Sequence, residues 1–411
     1  MTGNAEARHA SADIESAYAW MRLAVSLAIG TIGSIGMWSF VVALPAVQAD
    51  FGVPRGEASL PFTLTMIGFA FGGVAMGRIS DRLGIVPPAI CGSLLLGIGY
   101  VVSSYAGTLW LFALAQGVIG LGSSATFGPM MTDVSHWFTR RRGIAVAIAS
   151  SGNYLAGVIW PPLIQYFIAG EGWRVTQMGI GIACVISMLP LVLLLRRRAP
   201  VHAAERSGAT VAAAHGSLGL SPNALMVLLC IAGVGCCVAM SMPQVHIVAY
   251  CGDLGYGPAR GSEMLSLMMG FGIISRLVGG TVADRIGGLA TLLIGSVLQG
   301  VALFLYLWFD SLVSLYVISA LFGLFHGALV PMYAIIVREY FSPQEAGTRL
   351  GIVLMATLVG MALGGWMSGV IYDYTGSYRV AFLNGILWNG LNGVIVLWLL
   401  LRRSGRRPAY A

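Results

Sequence analysis

Lysine is absent from all 411 residues, so the 23 fixed positive side chains are all arginines. That excludes Schiff-base chemistry, an amine nucleophile and any anion site built on an ammonium group. Charge of both signs is scarce, at 9% of residues, against about 25% in a soluble domain. An ordinary soluble fold is excluded with it. The cysteines, Cys91, Cys184, Cys230, Cys236, Cys237 and Cys251, show no paired metal-site spacing. They read as small core residues, with the alternative that Cys236 or Cys237 faces a ligand. There is no His-rich cluster, no nucleophile motif and no glycine-rich phosphate loop followed by Lys. The chain is therefore expected to be no enzyme and to hold no metal or cofactor. Residues 1–21, with Arg8, His9, Asp13 and Glu15, lack the apolar core and cleavage site of a secretory peptide and read as a polar tail.

What the chain does have is apolar: 57% hydrophobic residues and 56 glycines. A bilayer-crossing helix needs about 20 such residues. The uncharged stretches predict spans at 23–47, 58–77, 86–105, 109–132, 143–168, 175–195, 223–250, 261–283, 288–309, 312–337, 350–372 and 380–401, twelve in all. With the N-terminus inside, 18 arginines fall on the inner segments, and only Arg55, Arg174, Arg260 and Arg379 on the outer ones. Arg22 and the triplets at 140–142 and 196–198 count among the inner set. Basic loops resist translocation, so both termini are expected in the cytoplasm, in an inner or plasma membrane. The net charge of +7 thus belongs to membrane orientation, and no nucleic-acid partner is implied.

Two halves repeat. Asp50-Phe51-Gly52 recurs as Asp253-Leu254-Gly255, Gly77–Gly84 as Gly280–Gly287, and Trp137-Phe138 as Tyr340-Phe341, all at an offset of 203. Pro129 and Pro331, and Trp173-Arg174 and Tyr378-Arg379, follow at nearly the same offset. The expected architecture is an all-α membrane protein of twelve transmembrane helices in two six-helix bundles related by a pseudo-two-fold. The bundles run over 22–195 and 223–401, with a cytoplasmic linker at 196–222 and a C-terminal tail at 402–411. Parallel repeats of this kind place a substrate site near the midplane and suit alternating access.

The loop Gly77-Arg78-Ile79-Ser80-Asp81-Arg82-Leu83-Gly84, with its counterpart at Gly280–Gly287, resembles the signature loop of the major facilitator superfamily. The resemblance implies gating roles for Asp81, Arg82, Asp284 and Arg285. An Asp after a glycine turn is expected to cap the start of the next helix. A second stretch, Trp137-Phe138-Thr139-Arg140-Arg141-Arg142-Gly143 leading into Ile144–Gly152, is similar to the basic, small-residue motif of the monocarboxylate transporter family. It departs from that motif by Trp for Tyr and Arg for Lys. Glu15-Ser16-Ala17-Tyr18-Ala19-Trp20 matches the family's other motif in its acid, aromatic and Trp, without the glycines.

The third point of resemblance is Arg276, in the eighth span, 12 residues from Met264 and seven from Ala283 with no other ionisable group between them. An arginine inside lipid is costly and normally functional. The alternative is that it snorkels to the interface beside Asp284. The resemblance implies that Arg276 holds a substrate carboxylate, for which a planar, permanently charged fork is suited. The family's proton-coupled members add an acid one turn earlier and a lysine in the first span. Here Gly272 stands at the former place, and the first span offers Met37 and Trp38.

Counting about 14 residues inward at about 1.5 Å per residue puts Trp38, Ser123, Ser124, Asn153, Tyr154, Arg276, His326 and Thr357 in one middle layer. His326 reads either as the proton carrier or as a buried histidine bonded to a neighbouring helix. Asn153 and Tyr154 read as ligand donors or interhelical bonds, Tyr333 and Gln244 as packing or ligand groups, and His246 as interfacial. The resulting expectation is a secondary transporter of a small monocarboxylate such as lactate or pyruvate, with proton symport through His326. Its partners would be an organic anion, a proton and the bilayer. Exchange of small dicarboxylates or formate, as in the similar oxalate:formate antiporters, is the alternative, and a drug/proton antiporter the third. From another class, a channel or receptor would lack saturable, counterflow-stimulated uptake.

Overall fold

The computed structural model describes residues 15–197 and 218–404. The expected tails at 1–14 and 405–411 and most of the expected linker, with Arg8, Arg198, Arg206, Arg406 and Arg407, lie outside the described residues. Among the described residues the fold is helical throughout, in sixteen helices. The first half holds α1 (Ala17–Gly33), α2 (Ile35–Phe51), α3 (Arg55–Ala58), α4 (Leu60–Leu83), α5 (Val86–Ser104), α6 (Leu109–Ser124), α7 (Gly128–Trp137), α8 (Arg142–Ser150) and α9 (Gly152–Leu193). The second holds α10 (Pro222–Asp253), α11 (Pro258–Ile286), α12 (Gly288–Trp308), α13 (Leu312–His326), α14 (Leu329–Tyr340), α15 (Pro343–Thr375) and α16 (Tyr378–Ser404).

These form eleven continuous apolar segments rather than the twelve expected. The difference lies in Arg142–Leu193, whose 52 residues rise about 78 Å at about 1.5 Å each, more than twice a bilayer core of about 30 Å. It turns at Gly172, at φ 81°, and so crosses twice. The first span starts at Ala17, ahead of the expected 23. Start signals are chemical: the hydroxyls of Ser16, Thr108, Ser221 and Ser311 accept from the backbone N–H three residues on, which satisfies donors a helix leaves unpaired. Gly84 and Gly287 follow α4 and α11 at φ 86° and 88°, a backbone that only glycine adopts freely.

The chain divides into two compact units. One takes the described residues up to Val47 and those from Leu64 to the linker; the other takes Gln48–Thr63 and everything after the linker. Each has its own apolar core, around Ile29, Leu96, Tyr100 and Met188 in the first and Leu292, Met332, Ile336 and Leu399 in the second. Outward faces carry Phe71, Leu114, Ile186, Leu277 and Val394, all exposed, as lipid-facing surfaces require. The repeat extends to packing. A Cβ on Gly120 would lie 2.0 Å from the Thr65 carbonyl, and one on Gly323, 203 residues later, 2.1 Å from the Met268 carbonyl. Small residues let the helices approach at both places.

Candidate functional site

Four spans are interrupted mid-membrane, at Ser34, Ala125–Phe127, Ser151 and Gly327–Ala328. A break frees backbone groups, each costing several kcal/mol in lipid if unpaired, so side chains are drawn to it. In the first unit Ser123 Oγ donates to the Gly33 carbonyl at 2.8 Å, Trp160 Nε1 to Thr31 at 2.8 Å and Trp38 Nε1 to the Asn153 carbonyl at 3.2 Å. Asn153 Nδ2 lies 3.2 Å from Met37 Sδ. The structure thus brings Trp38 and Asn153 together and commits Ser123 to closing a helix break. Tyr154, which follows Asn153 in the chain, is buried.

In the second unit the break at Gly327–Ala328 gathers the ionisable groups. Arg276 Nε donates to the Gly327 carbonyl at 3.3 Å, and the hydroxyl of its neighbour Ser275 accepts from Ala328 N at 3.1 Å. Arg276 is half-buried and is tied by this bond to the interior break. His326, on the last residue of α13, is fully buried. Its Nδ1 faces the Phe322 carbonyl at 2.7 Å and its Nε2 faces Gln244 Nε2 at 2.8 Å. Since a carbonyl only accepts, the proton sits on Nδ1 and the Gln244 amide donates to Nε2. Gln244 Oε1 is buried with no hydrogen-bond partner. This pairing joins Gln244 to His326, which the charge pattern alone does not do.

Other expected positions fall elsewhere. The Tyr333 hydroxyl donates to Asn392 Oδ1 at 3.0 Å, within a network running through Ser296 and Asn389, and Thr357 bonds its own helix at Leu354. Ser124 likewise bonds Leu121. Cys236 and Cys237 are core residues, as expected. His246 is not interfacial: it is 0% exposed, because α15 and the start of α16 close over it and bond both its nitrogens. Nor do Asp81 and Asp284 cap the following helices. Each lies in the last turn of its own helix, and Ile85 and Gly287 cap the next ones without a side chain. The cause is the glycine turn, which comes after the acid. A carboxylate there meets the negative end of the dipole. Asp284 and Arg285 line a cavity of about 650 Å³ with Gly287, Glu339 and Arg403, and Glu339 takes up the Gly288 N–H at 3.0 Å.

Within the first unit, the two stretches flanking the first and fifth spans meet. Glu15 Oε1 accepts from Arg140 N and Arg141 N at 2.7 and 2.8 Å, and Trp20 stands edge-on to Phe138 with Arg141 over its ring. The Arg141 N–H, then that of Arg140, holds the Glu15 carboxyl below the usual carboxylate range. The anchoring is therefore present at neutral pH and lost as pH falls through the lowered value. Glu15→Ala should speed tryptic cleavage at Arg140–Arg142 at about pH 7.5, where the carboxylate is charged; unchanged cleavage would show that the turn holds itself. Arg22, expected among the inner charges just ahead of the first span, is 1% exposed. It makes two 2.8 Å bonds to Asp133, donates to the Leu195 carbonyl and lies under the Trp137 ring. The one signal of this pair is an opposite charge ahead of the first apolar run and just after the fourth.

The family model of the Major Facilitator Superfamily matches residues 27–315 and 227–410. Monocarboxylate transporter 13 of Bos taurus is 27% identical over 354 residues, 84% of this chain and 80% of that one. The MFS-type transporter opdF of Penicillium oxalicum is 27% identical over 324 residues, 76% and 74% of the two chains. Among solved structures, a point mutant of the nucleoside transporter NupG superposes with TM-score 0.72 at 15% identity, covering 92% of this chain and 99% of that one. A bacterial homolog of the human lysosomal transporter Spinster, inward-facing and occupied, superposes with TM-score 0.71 at 14% identity, covering 94% and 96%.

Proposed function

The chain belongs to the major facilitator superfamily, and from that premise we propose that it carries a small monocarboxylate by alternating access, with Arg276 as the group that holds the carboxylate. The observation that carries this reading is the tether of Arg276 to the helix break at Gly327. One bond through Nε sets the plane of the guanidinium, and a set plane is what bidentate carboxylate recognition needs. One fixed cation balances one anionic charge, which favours monocarboxylates over dicarboxylates. The similarity to monocarboxylate transporter 13 points the same way. Trp38, Asn153 and Tyr154 are further candidates for contact with the substrate. Asp81, Arg82, Asp284 and Arg285 are assigned to gating at the face that carries the termini, which the arginine distribution assigns to the cytoplasm.

For coupling, His326 is the proton carrier in this reading, and the unpartnered Gln244 Oε1 is its support. When Nε2 gains a proton it becomes a donor facing an amide N–H₂. A half-turn of the Gln244 amide then presents Oε1 and satisfies it, so the pair has two satisfied states for the imidazole that differ by one proton. In proteoliposomes, a lactate gradient should acidify the lumen through the wild type. His326→Gln should abolish that proton flux while lactate counterflow continues. Persistent flux in the variant assigns His326 to packing.

The substrate class is tested by counterflow uptake of lactate, pyruvate, formate, oxalate and succinate. Saturable uptake of the monocarboxylates above the others supports the reading, whereas oxalate or succinate exchange with no lactate uptake replaces it with the dicarboxylate exchanger. Asp81→Asn should slow uptake and leave ligand binding intact; loss of binding at a normal translocation rate would remove Asp81 from the gate.

A further inference from the structure

At the face opposite the termini, residues 48–63 form a strap that belongs to the second unit, although the chain on both sides of it, α2 up to Val47 and α4 from Leu64, belongs to the first. Its anchor is Arg55, 7% exposed. The guanidinium makes bonds of 2.9 and 3.2 Å to the two carboxylate oxygens of Asp253, 2.6 Å to Gln48 Oε1 and 2.6 Å to the Tyr378 hydroxyl, and lies over the Tyr372 ring. The backbone N–H groups of Arg55 and Gly56 each take one oxygen of Asp373, at 2.7 and 2.6 Å. Beneath the strap α15 presents Gly365 and Gly369. A Cβ on Gly369 would lie 2.7 Å from the Arg55 carbonyl, and one on Gly365 2.9 Å from the Phe62 ring. The strap is seated on a groove of small residues and locked by charge.

The lock continues inward. Tyr378 Oη lies 3.1 Å from His246 Nδ1, and His246 Nε2 lies 2.8 Å from the Gly365 carbonyl. The carbonyl only accepts, so Nε2 carries the proton. Nδ1 then accepts, the Tyr378 hydroxyl donates to it, and the phenol oxygen is left to receive Arg55. Every donor in this line points the same way, from Arg55 through Tyr378 and His246 to Gly365. We propose that the line is a proton-released latch: protonation of His246 reverses its donor order and frees the strap from the second unit.

The sign follows from the geometry. A proton on Nδ1 aims a donor at the same phenol oxygen that Arg55 uses, forces the hydroxyl proton to turn away, and sets an imidazolium near a guanidinium. The other titratable and charged groups around His246 are identified element by element. The strap gives Arg55, Asp50 and Glu57, α10 itself gives Tyr250, Cys251 and Asp253, α15 gives Tyr372 and Asp373, and α16 gives Tyr378 and Arg379. On α11, Arg260 and Glu263 pair with each other at the surface, and α14 offers Tyr333, which lies by Gly233, more than three turns away along α10. Between about pH 5.5 and 7.5 the imidazole is the one of these whose ordinary range is crossed. The strap is the chain between α2 and α4, so its release detaches that connection from α10, α15 and α16, and acid on this side favours it. The inference involves no substrate and stands apart from the role given to Arg276.

Hydrogen exchange at the Arg55 and Gly56 amides, both bonded to Asp373, reads the latch directly in lipid nanodiscs without substrate. After correction for intrinsic rates, wild-type protection should fall about tenfold between about pH 7.5 and 5.5. Arg55→Gln should lose protection at both pH values. His246→Gln, and Tyr378→Phe as the variant that keeps the ring but cuts the line, should each show protection that no longer changes with pH. Equal wild-type protection at the two pH values overturns the proposal. So does a pH response that survives in both His246→Gln and Tyr378→Phe, since it would then belong to Asp253 or Asp373.

Discussion

Arg276→Lys is expected to lower lactate uptake about tenfold to a hundredfold, the loss of one charge-assisted hydrogen bond of about 1.5–3 kcal/mol, while the protein still inserts and folds. Lysine keeps the charge but offers a rotating point donor in place of a planar fork, and it has no Nε to tether to Gly327. A side chain whose only task were to snorkel would be replaced by lysine at little cost, since lysine snorkels as readily. Initial uptake rates at matched protein density separate the two. A rate within about twofold of wild type would assign Arg276 to the membrane interface.

Asp133→Ala is expected to destabilise the first unit by about 3–5 kcal/mol, because it strands the buried Arg22 guanidinium without its counter-charge and with two of its five hydrogen bonds removed. Arg22→Met combined with Asp133→Leu should recover most of that loss, since two apolar side chains of similar size leave no uncompensated charge. The midpoint of thermal unfolding in one detergent, measured for the single and double variants, checks both statements. A single variant as stable as wild type would mean that water or the Leu195 carbonyl already satisfies Arg22.

The spans are legible because charge is so scarce that each break in an apolar run carries information. Even the bent pair at Gly172 is marked, by Glu171 and Arg174 on either side of the turn. What the sequence conceals is what an arginine at the end of a run does. Arg22 and Arg55 look alike as loop charges, yet their partners Asp133 and Asp253 stand 111 and 198 residues away, and only the fold selects them. Asp81 reads as following a glycine turn, whereas it is Gly84 that closes the helix after it. His246 looks interfacial because it lies one turn from Tyr250; the start of α16, brought back by the turn at Gly376, is what covers it. The helix breaks at Ser34 and Gly327 leave no mark stronger than a glycine among 56, so the tether that orients Arg276 has no signature in the sequence.

The most direct test is ligand-induced stabilisation of the purified protein. Stabilisation grows with the ratio of ligand to its dissociation constant, so lactate or pyruvate at millimolar concentration should raise the unfolding temperature of the wild type in a saturable way. Arg276→Gln, folded and unfolding at a temperature near that of the unliganded wild type, should show no rise at any concentration. An equal rise in the variant would contradict the carboxylate site at Arg276.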